Sequence, residues 1–405
     1  MTARFPWTGF LALAAVIVLA VTTETMPTGL LPDMSASLGV SEAAVGLLVT
    51  IYAVCVAVVG IPLIALTRSW QRHQLLAVSV AVLGASSVLS ALAPTYGVLV
   101  GTRVLGGLGH AVFWATVGAY PGHAVSREQI GRAVGIVLGG ATVGFVFGVP
   151  AATFVGHAVG WRPAFGVVGG LLLLCSVLVW RVLPAVPPVP RPVRGVRRRD
   201  PTVAPVLLVC ALALVVMTGH YAFYTYVAPY AIQVLGFGAG GVAPLLFLTG
   251  VAGALGLAIA STVYANRTLR GITVSLALAA VTVIALALST RDAWIALPAV
   301  FLWSVALGIL PALMQTRILH VSSTAFRDAG NAVYTCAFNL GIGGGAFVGA
   351  LVVGADGLGP LPWVYVALLV VSLVLLLLTR RLGRPRPDEL APTPGLRPTG
   401  ADPQG

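Results

Sequence analysis

The chain has 405 residues, 58% hydrophobic and only 8% charged, with a mean hydropathy of +1.00. That leaves too little polar surface to cover a water-soluble body of this length, so the chain is expected to be solvated by lipid. The net charge of +12 comes from 23 Arg, with no Lys, against 11 acids, and its meaning lies in where the Arg residues fall.

A bilayer-spanning helix needs about 20 mostly apolar residues. The sequence predicts twelve, over roughly 10–32, 43–66, 74–93, 96–120, 130–156, 163–183, 204–231, 242–264, 271–289, 293–316, 328–352 and 361–380. Arg4, Arg68, Arg72, Arg127, Arg132, Arg181 to Arg199, Arg267, Arg270, Arg317, Arg327 and the run from Arg380 all lie in one set of alternate loops and at the two ends. The other loops hold only Arg162 and Arg291. This is the positive-inside pattern; it places both termini in the cytoplasm and makes nucleic acid an unsuitable partner. The first apolar run is too long for a cleavable leader and leads straight into a second span.

In chain order, the first span ends in TTETMPTGLLPD, residues 22–33, which puts Glu24 about 21 Å along a helix starting near Phe10. A carboxylate at that depth faces a cavity, finds a partner or carries a proton. The Pro–Gly–Pro run after it reads as a helix end, with Asp33 at the outer surface. The fourth span, LVGTRVLGGLGHAVFW, holds Arg103 too deep to reach the interface, with His110 two turns on along the same face. Arg103 is read as tuning a nearby acid, the competing reading being an Arg bonded to backbone carbonyls. The same motif ends in Trp114, assigned to the substrate cavity.

The fifth span carries two glycine series, Gly131–Gly135–Gly139 and Gly140–Gly144–Gly148, followed by Pro150. Four-residue spacing builds a flat face for close helix packing, and Pro150 is expected to kink the helix. Residues 184–201, PAVPPVPRPVRGVRRRDP, form a cytoplasmic linker beside anionic headgroups, separating a six-span half (1–183) from a second (204–382). A weak match between 160–183 and 360–382, with Trp161 and Trp363 in equivalent places, supports a repeat. The seventh span, GHYAFYTYVAPY, offers His220, Phe223, Tyr224, Tyr226 and Tyr230 as an aromatic stripe, read equally as a cavity wall or an interfacial belt. Gln315 and Asn339 are lone polar residues of the tenth and eleventh spans, and the tail 383–405 has a disordered composition. Cys55, Cys175, Cys210 and Cys336 lie in apolar segments without metal-ligand spacing. No phosphate-binding glycine motif, metal site or catalytic set is found, so neither an enzyme nor a cofactor is expected.

Four pieces together resemble the major facilitator superfamily, specifically its twelve-helix drug/proton antiporters of sugar-efflux and chloramphenicol-efflux type: TETMPTGLLPDMSASLGVS, RVLGGLGHAVFW, GGATVGFVFGVP through GWRPAF, and GHYAFYTYVAPY with FNLG. Gly139 to Gly148 and Pro150 look like a loose antiporter signature. The resemblance implies an all-helical fold of two six-helix halves with alternating access. It further implies proton coupling through Glu24, Arg103 and His110, and a substrate cavity including Glu24, Trp114, His220, Phe223, Tyr224, Tyr226 and Asn339. Gating and packing fall to Gly139, Gly140, Gly144, Gly148, Pro150 and Arg68. The loop after the second span departs from the family pattern, with Arg68 where an Asp is usual and Asn266 in its counterpart. The expected activity is proton-coupled efflux of small organic molecules by a monomer in a bacterial plasma membrane. A sugar or metabolite facilitator or importer, and a non-transporting sensor, are the alternatives.

Overall fold

A computed structural model describes residues 5–67, 69–118, 120–186, 200–289, 292–323 and 326–382. Its regular secondary structure among these residues is helical. The spanning helices are α1 (Trp7–Gly29), α2 (Glu42–Leu66), α3 (Arg72–Ala91), α4 (Tyr96–Val117), α5 (Ile130–Val159), α6 (Trp161–Val182), α7 (Val203–Tyr224), α8 (Val242–Thr262), α9 (Thr268–Leu288), α10 (Ala293–Val321), α11 (Arg327–Asp356) and α12 (Leu361–Leu382). Eleven are long and apolar enough to cross a bilayer, and α12 is apolar over Leu361–Leu377. In lipid a backbone polar group has no water to turn to, which is why the whole apolar chain is spent on helices.

Most helix ends sit close to the expected places, but the first and seventh spans break early: the seventh stops at Tyr224, and Tyr230 lies on a separate short helix, Val227–Gln233. The Pro–Gly–Pro run does not simply end the first helix. Pro27 lies inside α1, the helix stops at Gly29, and a short helix Leu31–Leu38 restarts with Pro32 in its first turn. Pro fits there because a first-turn N–H needs no intrahelical partner. The short helix ends on Gly39 in the left-handed region, φ 65°. It is held down by His157, whose Nδ1 lies 3.1 Å from Asp33 Oδ2, and by Trp161 and Arg162, which both donate to Ser37 Oγ. Trp161 and Trp363 do share a place in the first turns of α6 and α12, yet Trp161 is buried and Trp363 exposed.

Helix pairing repeats between the halves. In the first half α1 packs on α5 and α6, α3 on α4 and α6, and α2 on α4; in the second α7 packs on α11 and α12, α9 on α10 and α12, and α8 on α10. Each pair has its counterpart six helices later. The seams between halves obey the same relation: α2 meets α11, and α5 meets α8.

Small residues make these approaches possible. On α5 a Cβ at Gly140 would stand 2.7 Å from the Ala14 carbonyl oxygen, one at Gly144 3.1 Å from that of Val18, and one at Gly148 would collide with Thr22. On α11, Gly341, Gly345 and Gly349 make the equivalent ladder on α7, against Leu214, Thr218 and Ala222. The other α5 series behaves differently: Gly131, Gly135 and Gly139 have open space where a Cβ would go. Before Pro150 the helix widens into a π-turn over Gly144–Gly148, which accommodates the ring.

Contacts across the two halves run from the face opposite the chain ends to the middle of the bundle. Gln233 donates to Glu42 (2.9 Å), Gly46 lies against the Tyr226 hydroxyl, Phe147 meets Phe247, Gly250 packs on Val146, and Cys336 reaches the Ala57 carbonyl. On the face with the chain ends, the first half holds the linker through Tyr120 to the Pro184 carbonyl and Arg72 N–H to that of Val186. The second half receives it at Asp200, which accepts from Ser323 and Thr202. Those hydrogen bonds, Ser323 foremost, hold the Asp200 carboxyl below the usual carboxylate range. The linker's Arg residues, Arg68 and the tail lie outside the described residues.

Candidate functional site

The segment TTETMPTG solves its polar problem residue by residue. Thr22 and Thr25 return their hydroxyls to the carbonyls of Val18 and Val21, and Thr23 bonds Ser87 of α3 at 3.0 Å. Pro27 has no N–H, so the Thr23 carbonyl four residues earlier loses its helical partner. Arg103 of α4 supplies one, donating from one terminal nitrogen to the Thr23 carbonyl and from the other to that of Glu24, both at 3.1 Å. Only 2% of Arg103 is exposed. Its guanidinium is thus spent on the α1 main chain, while the Glu24 carboxylate is left free to face elsewhere.

That carboxylate faces His110: Oε2 lies 3.5 Å from Nε2, with the Glu24 side chain 18% exposed and His110 at 4%. The other imidazole nitrogen, Nδ1, is 2.9 Å from the hydroxyl of Tyr52 on α2. The Tyr52 ring also lies 4.2 Å beneath the Arg103 guanidinium, close enough for a cation–π contact. Gly106 and Gly107 let Tyr52 and α2 in, since a Cβ on either would press on Tyr52. Gly109 does the same for α3. Four residues from three helices therefore close into one buried cluster: Glu24, Arg103, His110 and Tyr52. Trp114 is half-buried beside His110, 5.9 Å between ring centroids.

The second half contributes rings. His220 stacks on Tyr224 (5.0 Å) and touches Tyr221, Trp303 and Tyr365, while Trp303 donates to the Tyr365 hydroxyl. His220 is half-buried, and its Nδ1 has no hydrogen-bond partner. Tyr221 packs against the α2–α11 seam.

The expected site residues therefore separate into groups. Glu24, Arg103, His110 and Trp114 come together. His220, Phe223 and Tyr224 gather around Trp303. Tyr226 is fully buried in the seam between α2 and α11, and Tyr230 bonds the Leu286 carbonyl within the second half. Asn339 donates along its own helix to Thr335. Gly140, Gly144 and Gly148 pack on α1, whereas Gly139 meets nothing. Tyr52, Tyr221, Trp303 and Tyr365 were not singled out from sequence, because an aromatic residue in an apolar helix carries no signal of what it will meet.

Comparison with known proteins agrees with this architecture. Residues 13–341 match the Major Facilitator Superfamily model. A protein of Helicobacter pylori (strain G27) named "Probable sugar efflux transporter" is 30% identical over 341 residues, covering 84% of this chain and 86% of its own. One of the same name from Mannheimia succiniciproducens is 30% identical over 356 residues, covering 87% and 89%. Among solved structures, a bacterial homologue of the human lysosomal transporter Spinster, inward-facing and unoccupied, superposes with a TM-score of 0.76 at 16% identity, covering 96% of this chain and 100% of that one. Its inward-facing, occupied form gives 0.75 at 19%. At such identities the structures speak for the fold, and the sequence match carries the family. The chain is a multi-pass membrane transporter that belongs to the Major Facilitator Superfamily.

Proposed function

We propose that the protein exports small organic molecules, sugars foremost, across a bacterial plasma membrane in exchange for protons. The observation that carries this reading is the carboxylate of Glu24 in the heart of the bundle, paired with His110. A carboxylate–imidazole pair in lipid binds and releases a proton at little cost in geometry. His220 and Tyr221 are the half-buried rings of an otherwise buried aromatic cluster, and such rings suit a sugar's C–H face. The relatives named as sugar efflux transporters favour the same substrate class and direction.

Alternating access follows from the repeat. The two halves, 1–183 and 204–382, rock about the α2–α11 and α5–α8 seams, in the present state joined at the face opposite the chain ends. With both termini cytoplasmic, that state is closed to the outside. Gly131, Gly135 and Gly139 then form the face of α5 that closes when the cytoplasmic side shuts.

Inside-out membrane vesicles test this directly. With an acidic interior, wild-type protein is expected to accumulate a monosaccharide or disaccharide from a broad panel, and a protonophore to abolish the accumulation. Uptake that reaches only equilibrium for every substrate, with or without the gradient, contradicts proton-coupled export.

A further inference from the structure

The cluster contains a residue that is fully buried and carries no charge. Tyr52 is 1% exposed, on α2, with its ring against Arg103 and its hydroxyl 2.9 Å from His110 Nδ1. A neutral imidazole has one N–H and one acceptor nitrogen, and the partner of one nitrogen decides which is which. His110 Nε2 faces the Glu24 carboxylate, which when ionised can only accept. The tautomer that suits both neighbours has its hydrogen on Nε2, directed at Glu24, with Nδ1 accepting from Tyr52. Every donor in the series then points toward the carboxylate.

Resting on the proton-exchange reading above, we propose that Tyr52 is a positioning residue for the proton site: its hydroxyl fixes His110 with Nε2–H toward Glu24, and so sets how readily Glu24 takes a proton. Among the described residues, the charged or titratable groups facing this series are Glu24 of α1, Arg103 and His110 of α4, and Tyr221 of α7. Arg103 favours the carboxylate by its charge, but its hydrogen bonds go to main-chain carbonyls. Tyr52 therefore acts on the imidazole alone. Its position has a second consequence. Thr50, Ala53, Val54 and Ala57, its neighbours along α2, meet Gly343 and Cys336 of α11, so the residue that senses His110 stands on the helix that forms the seam between halves. A proton that alters the Tyr52–His110 bond is felt where the halves pivot.

Tyr52→Phe keeps the ring over which Arg103 lies and removes only the hydroxyl. In reconstituted vesicles two quantities are read across pH: substrate exchange without a gradient, and accumulation driven by a pH gradient. Loss of the donor series leaves the Glu24 anion less well satisfied, so the midpoint of the exchange pH profile is expected to move alkaline. The ratio of accumulation to exchange is expected to fall. A purely structural tyrosine would lower both activities together and leave midpoint and ratio in place, and that result overturns the proposal. Should Tyr52→Phe fail to fold, His110→Gln breaks the series at its other end and is expected to move the midpoint of the profile alkaline as well; a wild-type profile in that variant overturns the proposal equally. Absence of any gradient-driven accumulation in the wild type overturns the proton-exchange reading itself, which separates the two failures.

Discussion

At the scale of single residues, the pairing of Pro27 with Arg103 explains why a permanent cation is tolerated so deep in lipid. Pro27 leaves the Thr23 carbonyl without a helical donor, and the Arg103 fork fills that place and bonds the Glu24 carbonyl as well. Arg103→Lys keeps the charge but offers one ammonium where two parallel donors are needed. It is expected to cost about 1–3 kcal/mol through a carbonyl left unpaired, read as a lower midpoint of thermal unfolding in detergent, and to depress transport. Glu24, Arg103 and His110 were legible in the sequence because ionisable groups stand out in apolar runs. The role of Pro27 was half legible: read as a helix end, it lies inside the helix and exposes a carbonyl. Tyr52 was not legible, since its partner is 58 residues away and nothing local distinguishes it from a packing aromatic.

At the scale of helices, glycine position matters more than glycine number. Gly→Ala in a helix gains up to about 1 kcal/mol when the added methyl meets nothing. Gly135→Ala is therefore expected to raise thermal stability slightly, whereas Gly140→Ala drives a Cβ into the Ala14 backbone and is expected to lower it by about 1–3 kcal/mol. Equal effects at the two sites in a thermal melt would mean that α1 and α5 do not pack as described. The sequence showed both α5 series but gave no means to tell the packed one from the open one, because that depends on which way α5 is turned. It also hid the matching ladder of α11, where Gly341, Gly345 and Gly349 are obscured by the run GIGGG. Since both halves use such a ladder, the α5 glycines are explained by packing first; the π-turn before Pro150 is what sets α5 apart.

At the scale of the whole molecule, near-symmetric packing holds an asymmetric site. The first half supplies a wired carboxylate and imidazole; the second supplies rings around His220. The spans were legible from hydropathy, because lipid imposes length and polarity on every one of them. The helix pairing was not, as helices apolar on all sides carry no amphipathic stripe to orient them. The seam at the far face is bridged by Glu42 and Gln233, 2.9 Å apart. In a background lacking the native cysteines, Glu42→Cys with Gln233→Cys is expected to cross-link under oxidation and stop transport, with activity restored by a reductant. Full transport by the cross-linked protein would show that the halves do not part there.

The central claim is that Glu24 carries the exchanged proton, and the most direct measurement is substrate accumulation by Glu24→Gln in inside-out vesicles under an imposed pH gradient. For one-to-one exchange, a gradient of about one pH unit sustains about tenfold accumulation in the wild type. The variant, with a side chain that neither binds nor releases a proton, is predicted to reach no more than equilibrium at any pH. Wild-type accumulation by Glu24→Gln under the same gradient would contradict the account.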